Sequence, residues 1–423
     1  MPVDDPSSRP PGASASGARR IEGLDGLRAI AACSILIFHV WSTNAPTQTE
    51  AVLGPMTLLL PPLREGVTLF FCLSGFLLYR PFAAALIRGT RPPANGRYAL
   101  RRLLRIAPAY WFVLLVTVLT LAPRVQPGDV GSVSALGRQA LLIANYAPDT
   151  IWTGLTPSWS LAVELVFYAV LPLLAAIAFL HPRRGGNRLT AAWMPPAALL
   201  ALGVLGKLAV ATFTTGVEDS TAHTWHAVLD ASFLTHADLF AFGMAVAVWH
   251  VLAEDGGHRP PLWLDGLLSR TLLYAGLPAL LVGYYVVPAY LYHPLAAILA
   301  ALLIAKIVIL APAAASRGRL VRALERAPVV YLGTISYSIF LWNSTLSYLL
   351  FRNHLLAAST TAPGLVLDMA IVAAVTIAVS AITYRFIEHP FLHPQPREQT
   401  QRRSERYGSR SASISSSSAS SLR

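Results

Sequence analysis

The chain reads as an all-α polytopic membrane protein, a bundle of ten transmembrane helices with both termini cytoplasmic. Three observations predict this. Of 423 residues, 54% are hydrophobic and 13% charged, and the mean hydropathy is +0.53, far from a soluble domain. Apolar stretches near the ~20 residues that cross a bilayer recur at about 27–43, 66–87, 104–122, 159–180, 192–213, 230–252, 271–288, 293–313, 328–350 and 364–387. The arginines then alternate between loops as an orientation signal should. With the N-terminus inside, inner loops hold Arg88, Arg91, Arg97, Arg101 and Arg102, then Arg183, Arg184 and Arg188, then Arg259 and Arg270, then Arg317, Arg319, Arg322 and Arg326. Outer loops hold only Arg64, Arg124, Arg138 and Arg352. One span more or fewer would invert every later loop.

Ahead of the first span, residues 1–20 are rich in Pro, Ser, Gly and Ala with no apolar core, so they read as a disordered cytoplasmic tail and not a cleavable signal. In the first span, Arg28 and His39 stand eleven residues apart. At about 100° per residue they share one helical face, roughly 16 Å apart along the axis, about half of a hydrocarbon core. Ionisable groups at membrane depth are costly and mark a site by default; the competing reading is that the two snorkel to opposite surfaces. Asp25, one turn before Arg28, is counted with them as a supporting group. Cys33 and Cys72 lie inside predicted spans and read as apolar fillers, since two thiols make neither a disulfide framework nor a zinc site.

Just before the third span, Arg102 and Arg105 lie three apart on one helical face at the cytoplasmic surface, where planar guanidinium forks suit a phosphorylated ligand. An orientation signal would look the same. The long outer loop at 123–158 contains an apolar run from Ala135 to Tyr146, too short to span and therefore interfacial or re-entrant. In the fourth span Ser160, Glu164 and Tyr168 recur every four residues and line one face. A carboxylate there needs a cavity or a cationic partner, and Arg28 and His39 are the candidates.

Asp238 enters the sixth span from outside, where it either meets a substrate or caps the helix. His223, His226 and His236 have a spacing that raises a metal, but with no thiolate nearby the expectation is that no metal is bound. Ser336 and Asn343 share a face of the ninth span, where hydrogen bonding between helices is the simpler account. Residues 393–423, ending in a Ser-rich run, read as a second disordered cytoplasmic tail. A net charge of +12 raises nucleic acid as a partner. The basic residues lie in short runs between apolar spans without interleaved aromatics, which excludes that class.

Together these pieces resemble the acyltransferase 3 family of bacterial membrane enzymes that O-acylate carbohydrates. The resemblance rests on Leu24-Asp25-Gly26-Leu27-Arg28 with ten residues before His39; Gly66 to Phe76; Arg102 to Arg105 leading to Pro108; Trp159 to Glu164 through Tyr168; Ile335-Ser336-Tyr337; and Tyr384 to Pro390. It covers about residues 21–392, which the resemblance makes a membrane acyltransferase domain. Two positions depart from the family pattern. Asn343 stands where members often carry His, and Thr68 where an acidic residue often sits.

The resemblance implies a multi-pass protein of the bacterial plasma membrane. It would move an acyl group, usually acetyl, from cytoplasmic acyl-CoA as co-substrate to a hydroxyl of an extracytoplasmic carbohydrate in a cell-envelope glycan. A sugar on a secreted metabolite such as a macrolide is the alternative acceptor. In that scheme Arg28, Arg102 and Arg105 hold acyl-CoA phosphates, and His39 either deprotonates the acceptor hydroxyl or takes the acyl group transiently, with Glu164 orienting its ring. Asp25, Ser160, Tyr168, Asp238, Ser336 and Asn343 bind substrate or support the site. A proton-coupled transporter would also suit buried Arg, His and Glu, and a non-catalytic scaffold has only packing in its favour.

Overall fold

A computed structural model describes residues 20–44, 54, 56–121, 133–213, 223–256, 264, 266–310, 318–356 and 361–392. Apart from Arg20, both predicted tails lie outside the described residues, as do the loop arginines Arg124, Arg259 and Arg317. Ten long helices follow the predicted spans in order: α1 Leu24–Asn44, α2 Gly66–Arg88, α3 Asn95–Leu121, α4 Ser158–Arg183, α5 Arg188–Phe213, α6 Phe233–Glu254, α7 Leu267–Val286, α8 Ala289–Ala305, α9 Ser336–Arg352 and α10 Ala362–Thr383. No β-strand occurs among the described residues.

By length and composition, eight helices among the described residues qualify to cross a membrane: α1 to α6, α8 and α10. The α7 helix carries Arg270 and the tyrosines Tyr274, Tyr284 and Tyr285 among its apolar residues. The ninth predicted span is broken at Ile335 into a short helix, Ala327–Thr334, and the 17-residue α9. Elsewhere, predicted limits shift because polar ends continue the helix. The α3 helix begins nine residues before its apolar run, which puts Arg97 to Arg105 on the same continuous helix as the span.

Burial sorts the helices by position. In α6, 83% of the most apolar stretch is buried inside the bundle, against 28% for the span that begins with α10. The first is therefore a central helix and the second faces lipid. The packing partners of α6 are chiefly α2 and α5, while α1 packs against α9 and the short helix before it. The apolar run from Ala135 onward forms a short helix, Val133–Ala140, fastened to α3 by Tyr110 Oη donating to the Gln139 carbonyl (2.6 Å) and Trp111 Nε1 donating to that of Ala140 (2.9 Å). Leu141, Ile143 and Tyr146 beyond it stay exposed, consistent with a segment that lies at the interface without crossing.

The crossing of α2 over α6 is set by glycine. A Cβ on Gly75 would fall 2.2 Å from the Phe240 carbonyl oxygen, and one on Gly243 would fall 1.9 Å from that of Cys72. Backbone meets backbone there, the close approach that small residues permit between membrane helices. Cys72 fills the same contact, buried, with its thiol toward the Leu239 carbonyl at 3.2 Å. Gly243→Ala is therefore expected to destabilise the protein by at least the ~1–3 kcal/mol typical of overpacking, read as a lower thermal aggregation temperature in detergent. Gly137→Ala, whose new methyl would meet open space, should leave that temperature within error of the parent.

Candidate active site

Two cavities lie side by side in the bundle. The first, about 80 Å³, is lined by Arg28 of α1, Arg102 and Arg105 of α3, Ser74 of α2, Ser160, Glu164 and Tyr168 of α4, and Ser336 and Tyr337 of α9. We call it the arginine chamber. The second, about 270 Å³, is lined by His39 of α1, Arg64, Glu65 and Thr68 around the start of α2, Trp152, Trp159, Asp230, His236 and His293. This is the histidine chamber. Val67, Phe71, Ser160 and Phe340 line both, and so form the wall between them.

The arginine chamber brings Arg28 together with Arg102 and Arg105, which lie more than seventy residues further along the chain. Arg28 is held at the end of α1 by Asp25, whose carboxylate is 3.5 Å from its guanidinium and 2.7 Å from Arg20. Arg20 in turn reaches Glu325 at 3.0 Å, and Glu325 accepts from the Gly23 backbone at 2.6 Å. Asp25 lines neither chamber, and its contacts place it behind Arg28. Arg102 stands over the ring of Tyr168, 6.0 Å from its centroid, at the outer reach of a cation–π contact. Both α3 arginines line the chamber. On the far side Glu388, in the turn Tyr384–Glu388 after α10, is buried and accepts from Ser338, while Trp342 Nε1 donates to Thr383 at 2.9 Å. These bonds tie the last matched motif to α9.

Glu164 is placed differently from the expectation. It lines the arginine chamber, where Ser74 Oγ donates to its Oε1 at 2.5 Å, and it does not orient His39. The neighbour of the His39 ring is the amide of Asn343. That amide donates to the Phe340 and Ile339 carbonyls of its own helix, at 2.6 and 3.2 Å, and makes no bond between helices through its nitrogen. His39 Nδ1 and Asn343 Oδ1 are both buried without a hydrogen-bond partner. They are complementary once His39 carries its proton on Nδ1, which leaves Nε2 with the lone pair.

Asp238 neither touches a chamber nor caps α6, which starts after Ser232. It is buried in an ion pair with Lys207 of α5 at 2.5 Å, and Lys207 also donates to the Thr235 carbonyl. The three histidines are not brought together: His223 reaches the Pro148 carbonyl at 2.8 Å, and His236 stacks tilted against Trp159 in the histidine chamber. Among the described residues no group of three or more His, Cys, Asp or Glu is poised to hold a metal ion.

Sequence reasoning missed Glu65, His293 and Lys207. Glu65 Oε1 lies 2.9 Å from His293 Nδ1, and Oε2 accepts from Thr68 Oγ1 at 2.6 Å. The signals were present: Glu65 directly precedes an apolar span, Lys207 interrupts one and His293 opens one. What periodicity lacked was the pairing.

A helical membrane bundle with a triply cationic chamber adjoining an imidazole-lined one defines a class: an integral membrane protein with a polar interior site. The comparisons narrow it. Residues 21–385 match the family described as "Acyltransferase domain", and the chain belongs to this acyltransferase 3 family. It is 27% identical over 329 residues to acyltransferase MdmB of Streptomyces mycarofaciens, covering 76% of this chain and 78% of that protein. It is 25% identical over 395 residues to O-acetyltransferase OatA of Staphylococcus aureus, covering 88% of this chain and 57% of that one. The chain thus aligns with little more than half of OatA. No solved structure matches. The protein is a membrane-embedded acyltransferase.

Breaking one side of a buried ion pair costs about 3–5 kcal/mol, and replacing both partners by apolar groups recovers most of it. Lys207→Met should therefore lower thermal stability strongly, and Lys207→Met with Asp238→Leu should restore it. A double variant as unstable as the single one would show that the pair does more than hold α5 to α6.

Proposed function

We propose that the protein transfers an acyl group, acetyl in the simplest case, from acyl-CoA on the cytoplasmic side to a hydroxyl of an extracytoplasmic carbohydrate of the cell envelope. In this reading all ten long helices cross the bacterial plasma membrane, with both termini cytoplasmic, as the arginine distribution of the loops favours. One observation carries the proposal: Arg28 and His39 of α1 face two adjoining chambers, Arg28 the cationic one and His39 the imidazole-lined one, with Val67, Phe71, Ser160 and Phe340 between them.

The chemistry follows from the contents of each chamber. Arg28, Arg102 and Arg105 present planar forks that match phosphate oxygens, and Asp25 and Tyr168 hold two of them in place. Glu164 and Ser74 continue that lining toward the wall. The narrow arginine chamber fits the pantetheine arm better than a sugar ring. The roomier histidine chamber, with Trp152 and Trp159 among its walls, suits a carbohydrate, whose apolar face stacks on aromatic rings. The acyl carbon then meets His39 where Val67, Phe71, Ser160 and Phe340 separate the two spaces.

The test is coenzyme A release and ester formation by the purified chain in lipid nanodiscs, with [14C]acetyl-CoA and an envelope-glycan extract. His39→Ala is expected to lower the rate at least 100-fold with little change in donor KM. Arg102→Ala or Arg105→Ala should raise the KM for acetyl-CoA about tenfold, as loss of one charge-assisted contact implies. Movement of substrate across the bilayer without coenzyme A release would replace this function with transport.

A further inference from the structure

Three imidazoles line the histidine chamber, those of His39, His236 and His293, and they are supported differently, His236 being held through Nδ1 by the Ser232 carbonyl at 2.9 Å. His39, the one carried by the family motif, has no carboxylate at either nitrogen among the described residues. Its neighbour is the neutral amide of Asn343, and its Nδ1 is unpaired. His293 of α8 has a carboxylate in hydrogen-bond contact with Nδ1, at 2.9 Å from Glu65. Glu65 is itself fixed, since its second oxygen accepts from Thr68 at 2.6 Å. Both partners are largely buried, the side chains of His293 and Glu65 being 22% and 13% exposed.

Each feature has a chemical meaning. A carboxylate that accepts from Nδ1–H holds the imidazole in one tautomer, leaves Nε2 free to take a proton, and stabilises the imidazolium that results. That is the support a general base needs. Glu65 and Thr68 are three residues apart and lie on one face where the turn Pro61–Glu65 runs into α2. Thr68 occupies the position at which the resembling family often has an acid. Here the carboxylate enters the chamber from one turn earlier, and Thr68 serves as its hydrogen-bond donor. His39, without such support but with Nε2 carrying the lone pair, is better suited to form a bond to carbon than to hold a proton.

We propose that His293 is the general base of the acyl transfer, with Glu65 as its positioning residue, and that His39 is the group that carries the acyl. The inference rests on the function proposed above. In the first step His39 Nε2 forms a bond to the thioester carbonyl carbon, the C–S bond breaks, and coenzyme A leaves as the thiolate. In the second, the acceptor oxygen forms a bond to the same carbon as the C–N bond to His39 breaks. The hydroxyl proton passes to His293 Nε2 and from there to the outer solvent, while the coenzyme A thiolate takes its proton from the cytoplasmic solvent, so one proton is released outside for each one taken up inside.

The experiment separates the half-reactions in nanodisc-held full chain. With [14C]acetyl-CoA and no acceptor, rapid quenching should find label on the protein for the parent and for His293→Ala, and none for His39→Ala. On adding envelope-glycan extract, the parent should discharge its label into esters, and His293→Ala should do so at least 100-fold more slowly, the lower end of what a general base contributes. Imidazole in the buffer should restore ester formation to His293→Ala, which a merely structural loss would not allow. Glu65→Gln should slow discharge without slowing acylation, and Glu65→Asp should recover part of the loss.

The proposal is overturned if His293→Ala discharges at the parental rate, if imidazole fails to restore it, or if quenching finds no label on parent and variant alike while esters still form. A parent that moves no label from acetyl-CoA to protein or glycan defeats the proposed function, and this inference with it.

Discussion

Backbone contact between α2 and α6, allowed by Gly75 and Gly243, is the constraint on which the two chambers depend. Without it α2 could not sit so deep in the bundle, and α2 supplies material to everything functional. Val67 and Phe71 make the wall, Ser74 holds Glu164 on one side of it, and Thr68 holds Glu65 on the other. Hydrophobic gain between helices is weak in lipid, so close van der Waals packing has to fix such a helix. The polar groups follow from the same physics. An arginine or carboxylate on a spanning helix is tolerable only where protein or a water-filled cavity faces it, so two chambers collect what ten apolar segments could not leave toward the acyl chains.

The sorting of charge between the chambers gives the molecule its direction. One side holds three guanidiniums with a single acidic side chain, Glu164, among its lining groups. The other holds three imidazoles and Arg64 with two carboxylates, Glu65 and Asp230. On the proposed reading the first takes the phosphate-bearing donor and the second the neutral hydroxyl compound. Members of α1 reach both, which is why an eleven-residue spacing on one helix face relates two different environments.

Much of this was legible in the chain. Arg28, Arg102, Arg105, Ser160, Tyr168 and Ser336 were picked out because each interrupts or adjoins an apolar run, and all six line one cavity. The long helices were legible for the same reason, since a bilayer leaves a strong mark on composition. Pairing was not legible. Helical periodicity tells which residues share a face and says nothing about which helix that face meets, so Arg28 and His39 stood equally as candidates for Glu164, which shares a chamber with Arg28 and is bonded by Ser74, and Asp238 was left without Lys207. Glu65 and His293 escaped because one sits at the end of a short turn beside Arg64, read only as loop charge, and the other lies on a helix far along the chain. The ninth span was drawn as continuous because hydropathy does not register a break at Ile335.

The aromatic wall has a further consequence for the cell. A passage wide enough for a coenzyme tail, if it ran open from one face to the other, would let a file of water form and short-circuit the ion gradient that energises the membrane. Phe71, Phe340, Val67 and Ser160 instead stand where the two compartments adjoin. On the proposed reading, an acyl group handed over at that partition changes sides with no open file of water through the bundle.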